Sequence, residues 1–153
     1  MSETGKDRIE ASVVVKATRR RVWRAISDAK GFGQWFGAKL EGAFAVGEIV
    51  KGHVTSPGYE HIELDLLVEK MEPEQLFAYG WHPYAMDPAV DYSAEPRTLV
   101  EFRLEGAEGG TRVTVVESGF DQIPEARRSE AYEAHVEGWA EQMENIKKYV
   151  ARG

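Results

Sequence analysis

The sequence contains no cysteine among its 153 residues. Disulfide bonds, thiol nucleophiles and thiolate-bound metal ions are therefore excluded. The sequence also lacks any run approaching the ~20 apolar residues of a membrane-spanning helix. Its polar first residues lack the apolar segment of a secretory signal. Together these absences predict a cytoplasmic protein that does not span a membrane.

Positive charge is scarce as well, with 19 Lys and Arg residues against 26 Asp and Glu residues and a formal net charge of −7. A protein that binds the phosphate backbone of nucleic acids needs a basic face. The run from Arg19 to Arg21 is too short to supply such a face, and runs of this kind more often decorate the start of a helix. We therefore expect no nucleic-acid partner.

Histidine is limited to four residues, and none has a spacing typical of zinc ligands, such as His-Glu-x-x-His. We therefore predict no metal site and no cofactor. The sequence also lacks a Ser-His-Asp order or a paired acid in a clear motif, which are the patterns that indicate hydrolysis. A binding protein is accordingly favoured over an enzyme. Acid–base catalysis by Glu117 with a tyrosine or histidine stays open as an alternative.

Alternation of apolar and polar residues predicts the strands of a sheet. Ile9, Ala11, Val13 and Val15 follow this period, which recurs in "HIELDLLVEKM", "LFAYGW", "TLVEFRLE" and "TRVTVVESGF". Turns of hairpin length separate most of these segments, so the sheet should be antiparallel. About six strands are expected between a pair of short helices and a final long helix.

The helices are predicted from apolar residues at helical spacing. Thr18 is a candidate N-cap for a helix that carries Val22 and Ile26 on its apolar face, and Gly31 and Gly33 are predicted to end this helix. The final helix is expected over roughly residues 123–151. Its predicted apolar stripe consists of Tyr132, Val136, Trp139, Met143, Ile146 and Val150.

The order of strand, helix pair, about six strands and long helix predicts an α+β fold, in which a curved antiparallel sheet wraps around the C-terminal helix. Through "VVVKATRRRVWRAISDAKGFGQWFG", "VTVVESGF" and "EGWAEQMENIKKYV" the chain resembles the START-like or SRPBCC superfamily. Within it, the chain is most similar to bacterial relatives of the C-terminal domain of the eukaryotic activator of the ninety-kilodalton heat-shock chaperone ATPase. The resemblance covers residues 8–151, which we predict to form a single START-like domain. It implies a helix-grip fold with a cavity between the sheet and the long helix.

The stretch "GFGQWFG" at residues 31–37 surrounds Trp35 and Phe36 with glycines. A dinucleotide-binding loop needs Gly-x-Gly-x-x-Gly between a strand and a helix. Here the sixth position is Phe36 and the stretch follows a helix, so such a loop is excluded. Two compatible interpretations remain. The aromatic pair fills one end of the sheet beside a tight helical corner, or it lines the mouth of a cavity.

A cavity of this kind would be lined from both the sheet and the helix. Glu117 shares the strand parity of Val115, which aims its carboxylate inward unless a bulge or the strand end turns it to solvent. The aromatic candidates could instead be core, and His135 could be a partly exposed helix flank. The candidate ligand-binding residues are Trp35, Phe36, Phe77, Tyr79, Trp81, Phe102, Glu117, His135 and Trp139.

Three functions are compatible with these residues. The favoured one is non-enzymatic binding of a small hydrophobic or amphipathic molecule in the cavity. The second is a co-chaperone-like or stress-related module that binds a protein partner, and a cavity filled by Phe102 and Trp139 would favour it. The third is a cyclase- or dehydratase-type enzyme, which paired polar groups around Glu117 in an open cavity would favour. Segment 82–96 is longer than a hairpin needs and is expected to be a lid, an interface segment or a passive insertion.

Overall fold

The computed structural model describes residues 7–83, 85 and 89–151. The predicted order of elements is confirmed, and a short 3₁₀ turn (Phe120–Gln122) precedes the last helix. The helices are α1 (Arg19–Ser27), α2 (Ala29–Phe36) and α3 (Glu125–Ala151). The strands are β1 (Arg8–Val15), β2 (Ala38–Glu41), β3 (Ile49–Val54), β4 (Glu63–Glu72), β5 (Leu76–Trp81), β6 (Thr98–Ala107) and β7 (Gly110–Ser118).

The strands form one 7-stranded sheet with the order β1-β7-β6-β5-β4-β3-β2. Every neighbouring pair is antiparallel, and the first strand of the chain pairs with the last. The long helix α3 lies across the sheet and contacts β1, α1 and α2. The predicted α+β helix-grip fold is thereby confirmed. None of the helices within the described residues is long and apolar enough to cross a membrane.

The corner between α1 and α2 differs from the prediction. Thr18 caps α1 by accepting a hydrogen bond from the backbone of Arg21, as expected. The helix ends at Ser27, however, and the Asp28 side chain accepts a hydrogen bond from the backbone N–H of Gly31 at 3.0 Å. The prediction that the glycines end α1 is therefore wrong, because this aspartate caps a second helix that contains both of them.

Close packing explains why a glycine stands inside α2. A Cβ atom on Gly33 would lie 2.3 Å from the carbonyl oxygen of Ala38, where no side chain fits. The helix ends instead at Gly37, whose φ of 93° lies in the left-handed region that favours glycine. The "GFGQWFG" stretch is thus a helix with its C-terminal stop, and the aromatic pair lies in its last turn.

The buried face of α3 also differs in one position from the predicted stripe. Trp139, Met143, Ile146 and Val150 are buried as predicted. The assignment of Val136 to this stripe is wrong, since its side chain is 42% exposed. Positions 131, 135 and 139 are spaced by four and share one helix face, so His135 takes the inward place.

Segment 82–96 is joined to the first turn of α3. The Arg127 guanidinium donates to the carbonyl of Pro83 at 2.8 Å and forms an ion pair with Glu95 at 2.6 Å. A ring nitrogen of His82 lies 3.1 Å from the Glu95 carbonyl. Residues 84 and 86–88 of this segment lie outside the described residues, and the choice between lid, interface and insertion stays a prediction.

Candidate functional site

The regular pairing of β7 decides where Glu117 lies. Its register with β6 runs without a break from Ser118 opposite Leu99 to Gly110 opposite Ala107. No bulge therefore disturbs the alternation, and the side chain stays on the same face as Val115. Glu117 has 0% of its surface exposed. The alternative in which the strand end turns this carboxylate to solvent is wrong.

Both carboxylate oxygens of Glu117 are held by hydrogen-bond donors from three elements. One oxygen accepts from the Trp81 indole at 2.8 Å and from the Thr98 hydroxyl at 2.6 Å. The other accepts from the Trp139 indole at 2.7 Å and lies 2.6 Å from Nδ1 of His135. A buried carboxylate is costly unless it is paired in this way. The two indoles hold the carboxylate from β5 on one side and from α3 on the other.

Opposing effects set the pKa of Glu117. Burial alone raises it, but the charge and hydrogen bond of His135, together with the donors Thr98 and Trp81, hold the pKa of Glu117 below its ordinary value. The group is therefore an anionic acceptor, and Nδ1 of His135 carries the proton of their shared hydrogen bond.

Thr98 is the member of this cluster that sequence reasoning missed. Its hydroxyl is fully buried at the first position of β6. The signal was available, because Thr98 has the same strand parity as Phe102, which was predicted as a lining residue of the cavity. A polar residue at an inward position indicates a hydrogen-bond donor for a carboxylate when that carboxylate occupies the inward face of the next strand.

A small pocket opens at the surface beside this buried cluster. We call it the mouth pocket, and its volume is about 140 Å³. Gln142 fixes its rim by donating from its amide to the carbonyl of Phe36 at 2.9 Å, which joins α3 to the end of α2. The pocket is lined by Phe36, Trp81, His135, Gly138, Trp139, Glu141 and Gln142.

Aromatic side chains fill the space between the sheet and α3. The rings of Trp139 and Phe102 meet edge to face with centroids 5.7 Å apart, and Trp139 stacks on Trp81 at 5.8 Å. Phe77, Tyr79 and Phe102 are fully buried core residues. The structure thus brings Trp81, Glu117, His135 and Trp139 together beside Phe36 at the mouth pocket, whereas Phe77 lies deeper in the core.

Trp35 belongs to a neighbouring groove of about 480 Å³ that shares Phe36, Glu141 and Gln142 with the mouth pocket. Its ring is 5% exposed, and its indole donates to the carbonyl of Ala25 at 2.9 Å. Trp35 therefore anchors the corner of α1 and α2 and lines this groove. A further groove of about 300 Å³ lies between β3, β4 and segment 82–96, and Trp81 also lines it.

Comparison with known proteins identifies the family of this fold. The model of the family described as "Activator of Hsp90 ATPase homolog 1-like protein" matches residues 16–151. The chain belongs to this family. The resemblance inferred from the sequence is confirmed. Among curated proteins, no sequence matches the chain significantly.

Solved structures of bacterial members of the activator-like fold are similar over almost the whole chain. Protein MLL2253 from Mesorhizobium loti is 25% identical, with a TM-score of 0.73 over 95% of this chain and 97% of that one. The Aha1 dimer from Colwellia psychrerythraea is 21% identical, with a TM-score of 0.69 over 94% and 95%. DynU16, from the dynemicin biosynthetic locus, is 23% identical, with a TM-score of 0.71 over 95% of this chain and 47% of its own.

One polar atom near Glu117 has no partner among the described residues, the hydroxyl of Tyr79. Burial, and secondarily the charge of Glu117, raise the pKa of Tyr79 well above its ordinary value. Tyr79 and Glu117 are connected laterally through the sheet, since both are paired with Val100 of β6. The tyrosine is therefore a neutral phenol that faces the core without a hydrogen bond.

Substituting Tyr79→Phe is expected to leave the free energy of unfolding unchanged or to raise it by up to about 1 kcal/mol, because it removes a buried hydroxyl that lacks a partner. Urea unfolding followed by circular dichroism measures this change. The control is Tyr132→Phe, which removes a hydroxyl that donates to the carbonyl of Arg8 and should lower stability slightly. A loss above about 1 kcal/mol in Tyr79→Phe would mean that an internal water satisfies this hydroxyl.

Proposed function

We propose that the protein binds a small amphipathic molecule with about one ring in the mouth pocket, without chemical turnover. The observation that carries this proposal is the convergence of Phe36, Trp81 and Trp139 with His135 around one opening. Trp81, His135 and Trp139 also hydrogen-bond to the buried carboxylate of Glu117. Apolar walls with few, well-placed polar groups are typical of small-molecule sites.

The pocket volume sets the size of the expected ligand. A cavity of about 150 Å³ lined by apolar side chains accommodates benzene, and the mouth pocket measures about 140 Å³. A longer molecule would have to extend over Phe36 into the adjoining groove. For a ligand of about seven heavy atoms, we expect a dissociation constant of roughly 0.1–1 mM.

The hydrogen bonds of Glu117 support binding over catalysis. Each of its oxygens already has two donors, so the carboxylate has no free position from which to take a proton from a ligand. Proton abstraction by Glu117 would require the loss of one of these bonds. The cluster is better suited to holding the pocket wall in place.

We expect toluene to bind the wild-type protein and to shift the indole N–H resonances of Trp81 and Trp139 in a saturable manner. The resonance of Trp23 serves as an internal control, because this residue lines neither the mouth pocket nor the adjoining groove. Two-dimensional NMR titration measures these resonances together. Binding should also raise the melting temperature, since the ligand selects the folded state.

A variant that fills the pocket makes this test specific. A Cβ atom on Gly138 would meet nothing within 4 Å, so Gly138→Leu should occupy the pocket without disturbing the core. Leucine also has a higher helix propensity than glycine, by about 0.8 kcal/mol, so we expect the variant to fold. Ala140→Leu, at an exposed position of α3 outside the pocket, is the matched control. Toluene binding that is equal in wild type and Gly138→Leu would contradict the proposed site.

The protein-interaction module is the second candidate function. The packing of Phe102 against Trp139 favours it, because these rings fill the interior at the position where a large apolar ligand would lie. If neither toluene nor longer amphiphiles bound, protein interaction would be favoured over small-molecule binding.

A further inference from the structure

We infer that His135 selects a hydroxyl group on the ligand through its Nε2 atom, so that the ligand class is a ring-bearing alcohol or phenol. The inference rests on the proposed function, because it names the chemistry of the molecule that the same pocket would take.

Glu117 fixes the orientation of the imidazole. Nδ1 of His135 lies 2.6 Å from the carboxylate, and the ring packs edge-on against Trp81 at 5.6 Å and Phe120 at 6.0 Å. Among the residues that the structure describes, no protein group hydrogen-bonds to Nε2. His135 lines the mouth pocket, and its side chain is 15% exposed. Nε2 is therefore the ring nitrogen that is available to form a hydrogen bond with a ligand in the pocket.

Each other polar side chain of the pocket already has a protein partner or lies in solvent. The indole nitrogens of Trp81 and Trp139 donate to Glu117. The amide of Gln142 donates to a backbone carbonyl, and its oxygen accepts from Asn145 at 3.0 Å. Glu141 is exposed to solvent. His135 thus supplies the polar contact in the partly buried part of the pocket, where a hydrogen bond is less weakened by water.

A hydroxyl suits this nitrogen better than other polar groups do. A hydroxyl donates to the lone pair of a neutral imidazole and accepts from the N–H of a charged one, so it pairs in either state. A carboxylate on the ligand would place a second negative charge beside Glu117, in an environment of low dielectric constant. A methyl group makes neither hydrogen bond. The pocket should therefore distinguish phenol from toluene, two molecules of nearly equal size.

The test compares phenol and toluene on wild type and on His135→Asn, with affinities measured by isothermal titration calorimetry. The asparagine amide nitrogen is joined to Cγ as Nδ1 is in histidine, so this variant keeps a donor for Glu117. It removes Nε2 together with Cε1, and its amide oxygen takes the place of Cδ2, one bond short of the position of Nε2. Glu137→Gln, at an exposed position of α3 outside the mouth pocket, is the matched control. We expect phenol to bind wild type and Glu137→Gln at least about tenfold more tightly than toluene, and His135→Asn to bind both equally.

A second measurement uses wild-type protein alone. The ¹⁵N resonance of Nε2 of His135 should shift when phenol is added and stay in place when toluene is added. Equal binding of both molecules to wild type, or a preference for phenol that survives in His135→Asn, would overturn the hydroxyl inference while leaving the proposed pocket intact. If neither phenol nor toluene bound, the proposed function would be overturned together with this inference.

Discussion

Replacing Glu117 by alanine is expected to lower the free energy of unfolding by about 5 kcal/mol, which is comparable to the whole stability of many domains. The substitution removes the acceptor for the Trp81, Thr98, His135 and Trp139 donors at once. A buried donor without a partner costs about 1–3 kcal/mol, and entry of water into the space left behind recovers part of the sum.

Glu117→Gln separates the loss of charge from the loss of shape. The amide keeps the volume and one acceptor oxygen, but its NH₂ group faces two donors, so an intermediate loss of about 2–4 kcal/mol is expected. Unfolding in urea should be followed by far-ultraviolet circular dichroism, because the fluorescence of Trp81 and Trp139 would respond to the local change. A loss below about 1 kcal/mol in Glu117→Ala would show that the carboxylate does not organise this cluster.

The same carboxylate makes stability depend on pH. The pKa of Glu117 is lowered in the folded protein, so its contribution is fully present above the ordinary glutamate pKa of the unfolded chain. That contribution is lost as the pH falls from about 4.3 through the lower folded-state pKa. The acid side of the wild-type stability curve should therefore be steeper than that of Glu117→Gln.

The sequence predicted the architecture well because alternation and hairpin-length turns are local signals. The alternation along β7 predicted that Glu117 faces inward. This prediction is correct because the register of the strand is unbroken. The helix that contains Gly31 and Gly33 was not predicted, because glycine usually ends helices. Here Asp28 caps this helix at its start, and close packing against Ala38 requires a glycine inside it.

The hydrogen-bonded cluster around Glu117 was harder to predict, since it depends on contacts between distant elements. His135 and Val136 are adjacent on α3, and hydrophobicity favours burial of the valine. The structure turns the partly buried histidine inward instead, because Glu117 lies opposite and needs a donor from the helix. An inward acidic residue on a strand therefore changes which face of a packed helix is buried, and apolar periodicity alone does not contain that information.

Replacing Trp139 by alanine is expected to lower the free energy of unfolding by about 5 kcal/mol, because two effects add. Removing a buried large aromatic side chain costs about 3–5 kcal/mol, and the Trp139 ring is 3% exposed between Phe102 and Trp81. The substitution also removes the indole donor to Glu117 at 2.7 Å, and hydrogen bonds to charged groups contribute about 1.5–3 kcal/mol.

Trp139→Phe isolates the second effect, since it keeps an aromatic ring and removes the donor. We expect a loss of about 2 kcal/mol for this variant, measured by the same urea unfolding. Val136→Ala is the matched control on α3, and its exposed side chain should contribute less than about 0.5 kcal/mol. If Trp139→Phe were as stable as wild type while Trp139→Ala lost about 3–5 kcal/mol, the tryptophan would act through packing alone. The indole would then contribute nothing measurable to holding Glu117, and the remaining donors would have to be sufficient to keep the carboxylate buried.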